Sequence, residues 1–328
     1  MKGNPPKNTG GRIRGRVRAA PGGKDYELAV IGSGPAGYAA AIYGARMGLS
    51  VLMVGEVPGG TILFTGAVEN YPGFVSIPGR ELARQLENHA LDYDIDLLID
   101  RVDRITLSRE RFMVITGKKS FRARAVILAT GARAKKLQVS GEKELTGNGV
   151  SYCAICDGPS FRGKNIALVG GGDSAVKEAV YAAQFARKVY VINNEKTLRS
   201  ENRHEILLEK AIMARRVEVI NDNEVERIMG IDSVTGLVLK KNHLGNKRLR
   251  VRGVLIYIGV VPNSELARDL GVKVNRAGEV IVNPRCETNI AGCYAAGDVT
   301  NGGWRQAIIA VSQGATAAYH AYHYCRRV

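Results

Sequence analysis

The chain has 328 residues, 45% hydrophobic and 24% charged, ordinary globular usage with material for about two domains of ~100–200 residues each. Its formal net charge is +16, and five cysteines are too few and too odd in number for a secreted disulfide framework. The best apolar run, 253–261, falls far short of the ~20 residues of a membrane helix, and the basic N-terminus lacks the apolar stretch of a signal peptide, so a soluble cytoplasmic protein is expected.

Residues 1–24 are rich in Gly, Pro, Arg and Lys, carry no acid and show no hydrophobic periodicity, which predicts a disordered basic tail. Lys2, Lys7, Arg12, Arg14, Arg16, Arg18 and Lys24 supply seven of the net charges. Such a tail can hold nucleic acid. It lacks aromatic residues for base stacking, so nucleic acid is not the expected partner.

A pattern then begins and recurs. Glu27–Ile31 predicts a short buried strand, Gly32-Ser33-Gly34-Pro35-Ala36-Gly37 a tight turn, Tyr38–Met47 a helix and Ser50–Val54 a second strand, together one βαβ unit. Phe112–Ile115 predicts a meander strand, and Arg124–Leu128 a strand closed by Ala129-Thr130-Gly131. The second copy has strand Ile166–Val169, turn Gly170-Gly171-Gly172-Asp173-Ser174-Ala175, helix Val176–Phe185 and strand Val189–Ile192. Val217–Ile220 and Val234–Leu239 are expected to be further meander strands. Val254–Ile258 and Gly292–Ala296 are expected strands, the latter closed by Gly297-Asp298, and Gln306–Tyr322 a helix.

Each glycine turn follows a strand and opens a helix, the context in which such a motif binds a dinucleotide. The first glycine permits the turn, the second lets backbone N–H groups reach a pyrophosphate, and the third allows the helix to pack closely. Glu56 lies ~20 residues beyond the first turn, where an acid can hold a ribose hydroxyl. Two such units imply two nucleotide ligands. The second unit ends Asn193-Asn194-Glu195-Lys196. A 2′-phosphate needs arginines there, yet only Lys196 and Arg199 are near, and Glu195 repels a phosphate.

Cys153-Ala154-Ile155-Cys156-Asp157 is a Cys-x-x-Cys pair that can close a reducible disulfide. The alternative, half of a zinc site, has no second pair at ligand spacing, so a redox role is expected and no metal. Asp157 reads as a proton donor and acceptor for thiolate exchange or, alternatively, as a helix cap. Cys286, Cys293 and Cys325 read as small hydrophobes.

These segments together resemble the low-molecular-weight thioredoxin reductases, over roughly residues 25–328. Val30–Tyr38 is similar to that family's FAD fingerprint, Pro58-Gly59-Gly60 with Val68–Gly73 to its flavin loop, and Ser151–Gly158 to its redox motif. Ala295–Asp298 and Trp304–Ala307 are similar to its C-terminal FAD segments. The resemblance implies an α/β fold of two Rossmann-like three-layer nucleotide-binding domains, the second inserted into the first. The expected boundaries are 1–24 for the tail, 25–135 and 253–328 for the FAD domain, and 136–252 for the nicotinamide-type domain with the cysteine pair. It implies a homodimer and a thioredoxin- or glutaredoxin-like partner.

By the same resemblance the FAD site comprises Gly32, Ser33, Gly34, Pro35, Ala36, Gly37, Glu56, Gly59, Gly60, Thr61, Asn70, Val102, Ala129, Thr130, Gly131, Gly297, Asp298, Arg305, Gln306 and Ala307. Among them Asn70, Asp298, Gln306 and Ala307 hold the ribityl and ring parts, and Thr61 stands where the family usually has Gln. Gly170, Gly172, Asp173, Ser174, Ala175, Lys196 and Arg199 would hold the nicotinamide cofactor. Cys156 would face the flavin, Cys153 would exchange with the substrate disulfide, and Asp157 would supply the proton. The family's phosphate-binding His-Arg-Arg reads Asn193-Asn194-Glu195 here. That departure leaves NADH, weakly held NADPH or another carrier such as a deazaflavin open as donor, and with them a redox sensor that uses no nicotinamide.

Overall fold

A computed structural model describes residues 23–65, 67–117, 119–199 and 202–327. The expected tail lies almost wholly outside them. Lys24 does not belong to it: its ammonium pairs with Asp96 at 2.6 Å, and the Gly23 N–H donates to the Ser120 carbonyl at 3.0 Å.

In chain order the elements are β1 (Asp25–Ile31), α1 (Pro35–Arg46), β2 (Val51–Val54), β3 (Ala67–Val68), β4 (Ile77–Pro78), α2 (Gly79–Leu91), β5 (Ile95–Leu98), β6 (Val102–Ser108), β7 (Arg111–Thr116) and β8 (Ser120–Leu128). There follow β9 (Ala132–Ala134), β10 (Val150–Ser151), α3 (Ala154–Asp157), β11 (Asn165–Val169), α4 (Asp173–Ala182), β12 (Lys188–Ile192), α5 (Asn202–Met213), β13 (Val217–Ile220), β14 (Val225–Gly230), β15 (Val234–His243) and β16 (Asn246–Leu249). The chain continues through β17 (Gly253–Ile256), β18 (Val260–Pro262), α6 (Glu265–Asp269), β19 (Cys293–Ala295) and α7 (Ala307–Cys325).

Contacts divide these into two units, the first drawing on the chain up to residue 60, 83–131 and 264–328, the second on 61–82 and 132–263. In the first, the sheet runs β5-β2-β1-β8-β7-β6, with β19 added beside β8. Its core strands β1, β2, β5, β8 and β19 are parallel, and β6, β7 and β8 form an antiparallel meander. β2 is buried on both faces, Val51 to Val54 alike, as a parallel strand under covering helices must be. α1 is rich in small residues because α7 lies directly on it: a Cβ on Gly314 would sit 2.1 Å from the Ala36 carbonyl oxygen. Only glycine permits that approach.

In the second unit β10-β17-β11-β12-β13 form a wholly parallel sheet, and β14-β15-β16 an antiparallel one. Two expectations are corrected here. Val217–Ile220 is no meander strand; it extends the parallel sheet, with Ile220 opposite Ile192. The strand beginning at Gly253, expected in the C-terminal part of the first domain, is β17, central in the second sheet between β10 and β11. A buried apolar strand looks alike in either sheet, so its composition carries no domain label. Residues 61–82 also group with the second unit, β3 lying against α3.

Candidate functional site

In the first unit, the turn after β1 is shaped by what its glycines exclude. Gly32 has φ +115°, and a Cβ there would sit 2.2 Å from the carbonyl oxygen of Ala129, the residue just after β8. Gly37 would meet the Gly32 oxygen at 2.0 Å, which fixes the helix against its own turn. Gly34, the residue before α1, faces open space; an added Cβ would meet only the Gly60 Cα, at 4.0 Å. The first turn of α1 has Pro35 at its start, no acidic residue and no side-chain cap. Its amides are therefore presented to that space, the arrangement that accepts a phosphate. Ser33 is buried, donating from Oγ to the Val57 carbonyl at 3.0 Å, while its own carbonyl accepts from Gly59 N–H at 2.7 Å. That pair folds Gly59 and Gly60 back over the turn.

Glu56 is exposed two residues past β2, and Val102 is buried at the start of β6. Gly297 and Asp298 follow β19. Burial raises the Asp298 carboxyl above its ordinary value, and nearby Arg305 partly opposes this. Arg305 pairs with Glu279 at 2.5 Å and keeps a buried, unpartnered Nε. Gln306 is the residue before α7 and Ala307 its first. Gln313, which sequence reasoning missed, accepts the Gly297 N–H through Oε1 at 2.7 Å. It sits two turns into α7 with no motif around it. The open face at Gly34, the uncapped helix and the half-buried acid after β19 fit a dinucleotide with a polar tail, as FAD is. Thr61 and Asn70, expected in the same site, belong to the second unit.

In the second unit the first glycine of the turn repeats the logic. Gly170 has φ +143°, and its Cβ would lie 2.3 Å from the Tyr257 carbonyl oxygen. Gly171 packs on Asn193, whose Oδ1 would be 2.0 Å from a Cβ. Gly172 precedes α4 and faces open space. Here the helix carries an acid in its first turn: Asp173 meets His204 Nδ1 at 2.8 Å. Ser174 is exposed and Ala175 fully buried.

Asn193 is buried and organises the loop after β12. Its Nδ2 donates to the carbonyls of Glu195 (3.1 Å) and Thr197 (2.9 Å) and to Asn221 Oδ1 (3.1 Å). Arg199 N–H donates to the Gly171 carbonyl at 2.7 Å, so this residue stands beside the turn, but its guanidinium is taken by Glu195 at 2.7 Å. Lys196 is exposed.

Cys153 and Cys156 form a disulfide with Cα atoms 5.3 Å apart. Cys153 precedes α3, and its Sγ accepts the Cys156 N–H at 3.1 Å. Asp157 caps nothing with its side chain; its Oδ2 accepts a short hydrogen bond from Ser151 Oγ, which in turn accepts the Cys153 N–H at 3.1 Å. The Ala154 N–H donates to the Tyr257 hydroxyl at 2.6 Å. Ser151 and Tyr257 were not anticipated. Cys286, Cys293 and Cys325 are buried free thiols, with Cys293 pushed up to about 12 by burial. They serve as packing residues in the first unit. No group of His, Cys, Asp and Glu that could hold a metal occurs among the described residues, and no described helix is long and apolar enough to cross a membrane.

The family described as pyridine nucleotide-disulphide oxidoreductase matches residues 26–314, and the chain belongs to it. Within that family it is similar to the thioredoxin reductase of Bacillus subtilis, 40% identical over 304 residues that cover 92% of this chain and 95% of that protein. It is 42% identical to the thioredoxin reductase of Mycolicibacterium smegmatis over 90% and 95% of the two chains. Among solved structures, a thioredoxin reductase from Streptococcus pyogenes MGAS5005 superposes with TM-score 0.85 at 38% identity, covering 92% of this chain and 98% of that one.

Proposed function

We infer that the chain is an FAD-dependent thioredoxin-disulfide reductase, moving reducing equivalents from a nicotinamide nucleotide to Cys153–Cys156 and on to a thioredoxin-like protein disulfide. The observation that carries this reading is the disulfide itself, seated beside Ser151 and Asp157 in the unit that also bears the second glycine turn. A relative from Mycobacterium leprae with 40% identity is a bifunctional thioredoxin reductase/thioredoxin, which supports a thioredoxin partner.

The flavin, when bound, supplies two-electron transfer between nucleotide and disulfide. The chain's own residues do the rest. Gly32–Gly37 hold the pyrophosphate and Asp298 the polar tail of the dinucleotide. Two electrons and two protons convert the Cys153–Cys156 disulfide to the dithiol. The Cys153 thiolate then bonds to one sulfur of the partner disulfide and displaces the other as a thiolate, which takes a proton held at Asp157. Cys156 next bonds to Cys153 and releases the second partner sulfur, restoring the disulfide. The nucleotide donor is NADH, or NADPH without strong preference, because Glu195 occupies Arg199. A cytoplasmic homodimer accompanies this reading; light scattering of the purified protein at twice the chain mass is expected, and a monomer mass refutes the dimer.

The protein is expected to purify yellow with one FAD per chain. Cys153→Ser and Cys156→Ser are each expected to abolish reduction of a thioredoxin disulfide while the flavin remains bound, since the second sulfur must resolve the mixed disulfide formed by the first. Turnover near wild type in either variant refutes the relay.

A further inference from the structure

Tyr257 stands just past β17 and touches both working parts of the second unit. Its N–H donates to the Val169 carbonyl at 2.8 Å, and its own carbonyl occupies the place where a side chain on Gly170 would sit. Its hydroxyl accepts the Ala154 N–H, the first amide of α3, one residue from Cys153. A tyrosine hydroxyl has one hydrogen and two lone pairs. With a lone pair given to Ala154, the hydrogen is directed elsewhere, and the Glu178 carboxylate of α4 is the charge that acts most strongly on the tyrosine.

Glu178 is an uncommon resident of that wall. Its neighbours Ala175, Val176, Ala179 and Ala182 are fully buried, and its Oε2 is buried without a hydrogen-bond partner. Burial raises its pKa above the ordinary value, against the opposing influence of Lys177 on the same helix and of the Tyr257 hydroxyl. The other charge near Tyr257 is Asp157 of α3. A carboxylate oxygen left without a partner in an apolar wall contributes little to stability, and such groups collect where a site needs tuning.

We propose that Tyr257, with the Glu178 charge behind it, is a positioning residue that withholds the Ala154 amide from the cysteine sulfurs and thereby sets the reactivity and reduction potential of the Cys153–Cys156 pair. A donor N–H turned to a thiolate favours the ionised form, and a nearby negative charge disfavours it. With the amide taken by the tyrosine and Glu178 close behind, the dithiol is held less acidic and more reducing. The inference rests on Cys153 and Cys156 being the redox pair.

The test uses the flavin-loaded enzyme and its Tyr257→Phe and Glu178→Gln variants. The exchange equilibrium of the pair is measured in dithiothreitol redox buffers, and the pH dependence of iodoacetamide alkylation is followed at Cys153 by mass spectrometry. Tyr257→Phe frees the amide. It is expected to lower the apparent Cys153 pKa and to shift the equilibrium about tenfold toward the dithiol, ~30 mV more positive. Glu178→Gln removes the charge while nearly keeping the side-chain shape, so it shifts both in the same direction by less. Values unchanged, or moved the opposite way, in a folded Tyr257→Phe enzyme overturn the proposal. If that variant does not fold, an unmoved potential in Glu178→Gln overturns it alone. Full turnover in Cys153→Ser sinks the relay reading instead, a result separate from either.

Discussion

The two glycine turns of this chain are built on one plan and differ in what surrounds them. In each, the first glycine takes a positive φ and lies against the carbonyl of a residue that follows a neighbouring strand, Ala129 in one unit and Tyr257 in the other. In each, the glycine before the helix faces open space. The first helix then opens with neither acid nor cap, whereas the second opens with Asp173 tied to His204 and stands beside an Arg199 already paired to Glu195. The strand–turn–helix plan decides that a dinucleotide backbone can approach. The side chains around it decide which dinucleotide, and the second turn is the less inviting to extra phosphate.

The sharpest way to break that parallel is to fill the first glycines. Gly32→Ala places a methyl 2.2 Å from a carbonyl oxygen, and Gly170→Ala 2.3 Å from another. Strain and overpacking together are expected to cost about 2–5 kcal/mol in each. Gly32→Ala should lose the flavin absorbance, and Gly170→Ala should retain it while losing reduction by nicotinamide nucleotides. Equal flavin loss in both variants would show that the turns do not serve separate ligands.

Asn193→Ala removes the side chain that ties the second loop to the turn. It removes a buried carboxamide that bonds Glu195, Thr197 and Asn221, and ~2–3 kcal/mol of stability should go with it, read by denaturant unfolding. A change below ~0.5 kcal/mol, typical of a neutral surface substitution, would mean the loop is held by other contacts.

The donor is the finer comparison. Replacing Asn194 and Glu195 together by Arg should raise the NADPH/NADH ratio of kcat/KM by about a hundredfold, since each charged hydrogen bond gained is worth ~1.5–3 kcal/mol. Glu195→Ala alone frees Arg199 and should raise it about tenfold. A wild-type enzyme that already strongly prefers NADPH contradicts the loop geometry described above.

Most of the frame was legible from strand, turn and helix taken together. Gly32–Gly37 and Gly170–Ala175 stand in the expected βαβ context because the glycines have no alternative to their tight turns. What escaped the sequence was long-range. Gly253–Ile256 reads as a buried strand in any sheet, and only pairing with β10 and β11 assigns it to the second. Arg199 was visible as a cation near the turn, while its capture by Glu195 depends on how the loop folds over Asn193. Tyr257 and Gln313 belong to no local motif, because their partners, Ala154 and Gly297, lie 103 and 16 positions away.

The close seating of α7 has a consequence for how the molecule is made. Near its end, Cys325 Sγ donates to the Glu27 carbonyl at 3.3 Å and Arg326 pairs with the Glu27 carboxylate at 2.8 Å, so β1 is braced by the last described turn of chain. During synthesis, β1 emerges well before α7 and must wait for it before its wall is complete. The stretch 132–263 has all five strands of its parallel sheet and is available much sooner. Chain order therefore favours a ribosome-bound intermediate in which the inserted unit is already folded while the strands that bracket it are still open.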